Sequence, residues 1–468
     1  MRPGAALMSC LLVPAVALAA LGPRHGGFLE VGVVNLRPDL ADLYSRGDGT
    51  RLLRSLLHES LTRRSATGEP VPALASAWHC LDRGAVWVVE LSEESRFQDG
   101  REVEATDAVR SLRRFLRSRA PSAALLAELL DGGRAFASAE TDALPGLDTA
   151  GEHAVVLRLS QPSSQLPADL ASPSATIVGI DGVGAGPFRS LHAVRDERIR
   201  LVAFGSHVRG RPLLDEIELR RYADVSSLGR AFEEGHLDVV LGSAASRPPS
   251  LVQLLLVLES AAGPFTSLAE RLRVNGALDR ATLAERFIPG GGPSCGLLPP
   301  NDCPSTSFWS RTTLGESGPR SAAARRAVRL VVDASVSPAA SRRVVAHFLS
   351  LGFDPDVRVT LPDAPQLEAD ARLLLWTPEG PDAVAALVEA AALAGRGGEM
   401  ARRLAPLRVE TSGDRIRSAL EDAERDLLER SLLVPLAVVP DLAVRPRVRG
   451  LERAPFGSLL LEDAWVPL

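Results

Sequence analysis

A chain of 468 residues, 46% hydrophobic and 24% charged, is long enough for two or more domains, each with an apolar core that needs no metal or disulfide to hold it. Its formal net charge of -5 provides no basic footprint, so nucleic acid is excluded as a partner. Arginine supplies all the positive charge outside histidine and lysine is absent, which excludes Walker-type phosphate loops, Schiff-base nucleophiles and Ser-x-x-Lys sites.

At the N-terminus Arg2 precedes the apolar run "AALMSCLLVPAVALAAL", which Pro14 interrupts and which falls short of the ~20 residues of a spanning helix. With the small residues Ala17-Leu18-Ala19 it predicts a signal peptide over residues 1–19; the alternative is an uncleaved anchor. Export places the mature chain in an oxidising compartment, periplasmic or extracellular. There Cys80, Cys295 and Cys303 remain, and the spacing of "CGLLPPNDC" lets the last two close a small loop.

"GFLEVGVVN" reads as a strand, and "RLLRSLLHESL" as an amphipathic helix whose leucines, Leu52, Leu53, Leu56, Leu57 and Leu61, share one face. A β-rich run through Val86 to Val89 leads into "SRFQDGREVEATDAVRSLRRFL". There Asp99-Gly100 predicts a tight turn, and Thr106 is the expected cap of a helix carrying Val109, Leu112 and Leu116. Strands follow at "HAVVLRLSQP" and "ATIVGI". "GAGPFRSLHAVRDERIRLVAF" alternates as two strands would, with a hairpin tip at Arg195 to Glu197. "LLDEIELRRYAD" adds a strand, "SSLGRAFEEGHL" a helix and "DVVLG" another strand. The second half repeats this character. Helices are predicted over Leu268 to Phe287, Ala339 to Leu351 and Asp414 to Arg430, with strands at "AVRLVVDA", "VRVTLP" and "ARLLLW". A Gly/Pro/Ser-rich span from Pro289 to Pro319 separates them, and no internal repeat is visible.

Local catalytic signatures are missing: there is no Gly-x-Ser-x-Gly elbow and no His-Glu-x-x-His helix, and the cysteines and histidines lack metal-ligand spacing. Gly184-Ala185-Gly186-Pro187 departs from a phosphate-binding spacing and reads as a turn. Trp78 and Trp87 read as packing residues.

Several blocks, taken in order, resemble the family-5 extracellular solute-binding proteins, the class that includes dipeptide- and oligopeptide-binding proteins of ABC importers. The strongest is "EPVPALASAWHCLDRGAVWVVELSEESRFQDGREVEATDAVRSLRRFL", in which Pro72, Leu74, Ala75, Trp78, Phe97, Asp99, Gly100, Asp107 and Val109 occupy the matching places. "GAGPFRS", "RGRPLLDEIELRRYAD", "AFEEGHLDVV" and "LLVPLAVVPDLAVRPRVRGL" extend it over nearly the whole mature chain. It departs at "EATDAV", where Ala and Thr are in reverse order, and at "ELSEESRF", which lacks the common Leu-Arg-x-Gly.

The resemblance implies a two-lobed α/β fold of the periplasmic-binding-protein type, class II, with an extra subdomain in the first lobe. Lobe I would comprise residues 27–241 plus 434–468, with the subdomain at about 50–165, and lobe II residues 242–433. It further implies a monomer that binds a short peptide or similar small solute between the lobes and delivers it to an ABC permease, with no cofactor or metal and no enzymatic activity. In "LLLWTPEGPDAV" it marks Trp376, Glu379 and Asp382 as ligand-binding residues, the carboxylates being placed to meet a peptide's α-ammonium. The competing reading is an orphan sensor or scaffold that keeps the fold without transport; an exported hydrolase ranks behind both.

Overall fold

The structure, a computed structural model, describes residues 23–36, 43–118, 120–194, 198–241, 252–298, 325–361, 367–440, 442–453 and 459–467. The expected signal peptide, the hairpin tip at Arg195 to Glu197, Cys303 and most of the Gly/Pro/Ser-rich span lie outside them. Cys80 is exposed and free, and Cys295 is disulfide-bonded.

Phe28–Val33 is the heart of the first sheet because its alternation buries Leu29, Val31 and Val33 on one face. Leu29, Val31 and Val33 pack on Leu52, Leu53 and Leu56 of the helix Asp48–Leu57, while Gly32 on the other face leaves room for Leu228 and Leu237. It pairs in parallel with Glu216–Arg221 and Val239–Leu241, and Arg198–Ala203, Phe188–Val194 and Leu442–Val444 complete six strands. The helix ends at His58, so Leu61 belongs to the bend beyond it, where it is fully buried.

A four-stranded antiparallel sheet of Ala75–Leu81, Val86–Leu91, Leu147–Thr149 and Ala154–Arg158 lies within this half of the chain. Trp87, Val89, Val155 and Leu157 pack there against the helix Ala105–Leu116. The N-cap of that helix is Glu104, not Thr106: Asp107 accepts from the Glu104 amide at 3.2 Å, and Thr106 sits one residue inside, donating to the Glu104 carboxylate. Asp107 wins because it is buried and anchored by Arg101 and Arg110. The preceding turn has a structural task. Gln98 donates to the carbonyls of Leu57, Gly186 and Phe188 at 3.0, 3.2 and 2.7 Å, which fastens the end of the helix Asp48–Leu57 to the first sheet. Gly184 and Gly186 belong to this joint, since a Cβ on Gly184 would fall 1.8 Å from the Leu57 carbonyl oxygen.

The second sheet runs Gly292–Pro293, Leu433–Val438, Gln253–Leu258, Ala371–Trp376, Arg326–Asp333 and Phe353–Thr360. All of Gln253–Leu258 is buried because helices cover both faces. Leu254, Leu256 and Leu258 meet Phe265, Val274 and Phe348 on one side, and Leu255 and Val257 join the core of Leu387 and Leu427 on the other. The region predicted as one helix from Leu268 to Phe287 is two, Leu268–Ala277 and Arg280–Phe287, because Asp279 caps the second by accepting from the Thr282 amide at 3.0 Å. Leu433–Val438 pairs with Gln253–Leu258 and therefore belongs to the second sheet; the chain rejoins the first sheet at Leu442–Val444, later than residue 434. The molecule is thus a two-lobed α/β fold, one lobe built on each six-stranded sheet.

Candidate functional site: the seam between the lobes

Trp376 ends a strand of the second sheet, and the chain then turns through Thr377 to Asp382 before the helix Ala383–Leu393 begins. This turn meets the helix Asp48–Leu57 of the first lobe. Arg54, fully buried, reaches Glu379 Oε1 with Nη2 at 3.0 Å, and Arg51 Nε lies 3.2 Å from the same oxygen. Ser174 donates to Glu379 Oε2 at 2.5 Å. Arg64 donates to the carbonyls of Gly380 and Glu379 at 2.9 and 2.8 Å, and Arg51 to that of Thr377 at 3.2 Å. Arg54 is itself aimed by the carbonyls of Leu43 and Ser45, at 2.6 and 3.3 Å.

Burial pushes the Glu379 carboxyl upward, but Arg54 and Arg51, helped by Ser174, outweigh it and hold the group ionised, below the usual range. Glu389 behaves in the opposite way. Burial, and then the nearby Glu379 charge, push its carboxyl up to about 8, so it is protonated at neutral pH. Its Oε2 accepts from the Glu379 amide at 2.7 Å, and its Oε1 is buried without a hydrogen-bond partner. His58, at the end of the arginine-bearing helix, is driven down to about 3 by burial, then by Arg54 and Arg114, and stays neutral.

Two cavities flank the end of the strand Ala371–Trp376, with Leu375 lining both. The one beside the ion cluster, lined by Arg46, Arg51, Ser122, Trp376, Glu379 and Glu389, holds about 20 Å³, the room of one water molecule. The other, about 320 Å³, lies on the opposite face of the second sheet between Val225 and Ser226 of the first lobe and Phe287, Ile288, Val336 and Leu375 of the second. Among the described residues no group of three or more His, Cys, Asp or Glu side chains is placed to hold a metal ion.

Of the three residues marked from sequence, the structure brings Trp376 and Glu379 together on the smaller cavity and leaves Asp382 out. Asp382 caps the helix Ala383–Leu393, accepting from the Ala385 amide at 3.0 Å, and pairs with Arg408. Arg408 also crosses to Asp169 of the first half of the chain at 2.7 Å. Arg51, Arg54, Arg64, Ser174 and Glu389 escaped the sequence reading. The one available signal was the pair of arginines three apart in a helix whose leucines call for burial, since a buried guanidinium needs an anionic partner.

Solved structures share this architecture. The murein tripeptide binding protein MppA of Escherichia coli superposes with a TM-score of 0.79 at 16% identity, covering 94% of this chain and 98% of its own. The OppA protein of Haemophilus influenzae, in complex with the peptide RPPGFSPFR, gives 0.76 at 15% identity and the same coverages. These likenesses establish the fold, that of a two-lobed binding protein. The family follows from sequence. Residues 69–310, just over half of the chain, match the model of the bacterial extracellular solute-binding proteins, family 5 (middle), and the chain belongs to that family. Among curated relatives, the nickel-binding periplasmic protein of Escherichia coli K12 is 23% identical over 282 residues, 55% of this chain and 52% of that protein. Di/tripeptide-binding protein 2 of Pseudomonas aeruginosa UCBPP-PA14 is 25% identical over 219 residues, 41% and 40%. The chain spans about half the length of these relatives. No helix among the described residues is long and apolar enough to cross a membrane.

Proposed function

We propose that the protein is the exported solute-capturing component of an ABC importer, holding a short peptide or a similarly small solute between its lobes and handing it to a membrane permease. It binds the solute without altering it and works as a monomer. The observation that carries this reading is the seam at Glu379, where polar groups from both lobes converge beside Trp376 at the carboxyl end of a sheet strand, the place where open α/β sheets take ligands. Family membership supports it, as do the tripeptide- and peptide-binding descriptions of the structural neighbours. Trp376 and Glu379 are the proposed ligand-facing residues; Asp382 is assigned to holding the helix and Arg408.

The orphan sensor or scaffold is favoured by one observation: the protein's own side chains meet across the cleft and leave about 20 Å³ at the ion cluster. A thermal-shift screen of the purified protein against di- and oligopeptides, sugars and metal chelates separates the two readings, because a solute that binds the native state raises the melting temperature. The importer reading expects a saturable rise with one class of solute. A flat response to every class would transfer the assignment to the scaffold.

A further inference from the structure

The second sheet ends in an open edge. Phe353–Thr360 is its outermost strand, paired along its whole length with Arg326–Asp333 on one side, and among the described residues no strand lies on the other. The Arg326 amide donates to the Gly352 carbonyl at 3.2 Å and the Ala334 amide to the Thr360 carbonyl at 2.9 Å, so the even-numbered residues turn their peptide groups into the sheet. Alternation then leaves those of Phe353, Pro355, Val357 and Val359 facing outward. Pro355, which has no N–H, sits where it costs the sheet no bond. The side chains alternate as well. Phe353 is buried on the face that carries Leu330 and Val332, but Val357 and Val359, in register with those two residues, are 38% and 65% exposed. On the opposite face Asp356 and Arg358 are both exposed and oppositely charged, and they lie one on each side of Val357.

An edge with unpaired peptide groups accepts another strand, and proteins usually guard it with charged side chains. Here the charges invite a second copy. In an antiparallel pairing about a twofold axis at Val357, each residue before Val357 meets the residue equally far after it in the other copy. Val357 then exchanges N–H···O bonds in both directions with its own counterpart, and the Val359 amide donates to the Pro355 carbonyl of the other copy. Asp356 stands opposite Arg358 of the other copy in the non-hydrogen-bonded position, where side chains come closest. On the other face Val357 covers its counterpart and Val359 covers Pro355. Within one chain Asp356 and Arg358 lie 3.3 Å apart and more than half exposed, a contact that is given up at little cost when partners exchange.

We infer that the outer edge of Phe353–Thr360 is a docking surface for a second copy of this chain, joined antiparallel through Val357 into one continuous sheet across a twofold axis. Each copy keeps its own seam at Glu379, so the pairing leaves solute capture by the single chain, as proposed above, unchanged and adds a concentration-dependent association of capturing units. A short edge buries less surface than a stable dimer needs, so the association is weak.

The test is sedimentation of the full protein over concentrations up to about 1 mM, the range in which weak contacts become populated. The wild type is expected to form a dimer. Asp356→Arg and Arg358→Asp each set like charges opposite one another, and each should weaken the dimer about tenfold or more. Mixing the two variants should restore it, because the first offers arginine at both positions and the second aspartate at both. Both positions are exposed, and recovery in the mixture could not arise from unfolded chains. A wild type that stays monomeric over this range overturns the inference and leaves the edge to an extended segment of a different protein. A dimer that persists in both single variants places the contact elsewhere and overturns it too. Loss in both variants without recovery in the mixture overturns the antiparallel pairing at Val357.

Discussion

Among the described residues, two of the contacts between the first and second halves of the chain are made of different materials. In one, the helix Ala123–Leu129 of the first half of the chain packs on Ala383–Leu393 and Gly397–Leu404 of the second half, and Leu125, Leu126 and Leu129 share one apolar core with Ala386, Leu393, Ala401 and Leu404. A Cβ on Gly397 would lie in ordinary contact with Ala124 across the seam, at 3.6 Å. The other seam, at Glu379, is ionic and hydrogen-bonded. Apolar contact is non-directional and indifferent to pH and to charged solutes, whereas a buried ion pair holds only while both partners stay charged and nothing better displaces one. The apolar seam therefore suits a permanent joint and the ionic seam a contact that exchanges partners.

The largest expected effect comes from the ionic seam. Arg54→Ala removes a fully buried guanidinium from Glu379 and should cost about 3–5 kcal/mol in urea unfolding, because the carboxylate loses its main partner while still buried. A loss below about 1 kcal/mol would mean that Arg51 alone suffices. On the apolar seam, Leu126→Ala should cost about 2–4 kcal/mol by cavity formation, with the shape of the stability-against-pH curve unchanged. Any change in that curve would show that the two seams are not independent.

Glu389 gives the next effect. Its carboxyl sits at about 8 when folded against an ordinary 4.5, so the folded state holds the extra proton between these values. Stability from this group is fully present below about pH 4.5 and is lost as pH rises through 8. Glu389→Gln should flatten the decline over that window and, at pH 9, stabilise the protein by on the order of 2 kcal/mol. Calorimetric melting at pH 6 and pH 9 checks this, and equal effects at both would remove Glu389 from the seam. The smallest change is Asp382→Asn, which keeps an acceptor for the helix cap but drops a half-exposed charge from Arg408. It should cost roughly 0.5–1 kcal/mol and leave solute affinity unaltered. A large affinity loss would return Asp382 to the binding site.

The apolar architecture is legible in the sequence, since it is written in local periodicity. Phe28–Val33, Arg326–Asp333, Ala371–Trp376 and Gly413–Glu429 fall where the hydrophobic pattern places them, and the two-lobed α/β fold followed from the order of resembling blocks. Errors arose where one polar side chain outweighed the pattern, as when Asp279 split a helix and Asp107 moved a cap from Thr106 to Glu104. Sheet membership of Leu433–Val438 was not legible, because the strand's sequence is equally apolar whichever sheet it joins. The site was half legible. Resemblance pointed to Trp376 and Glu379, but Arg54 is 325 residues from Glu379, and no local pattern announces a pairing across that distance.

The most direct measurement is hydrogen exchange of the full protein with and without a solute that raises its melting temperature, read at the backbone amides of Thr377 to Asp382 and of the helix Asp48–Leu57. Capture at the seam predicts slower exchange in both segments on saturation, with the helix Ala123–Leu129 at the apolar seam unchanged. A solute that binds and slows exchange only elsewhere, such as around Phe287 and Val336 at the larger cavity, would contradict the placement of the site at Glu379.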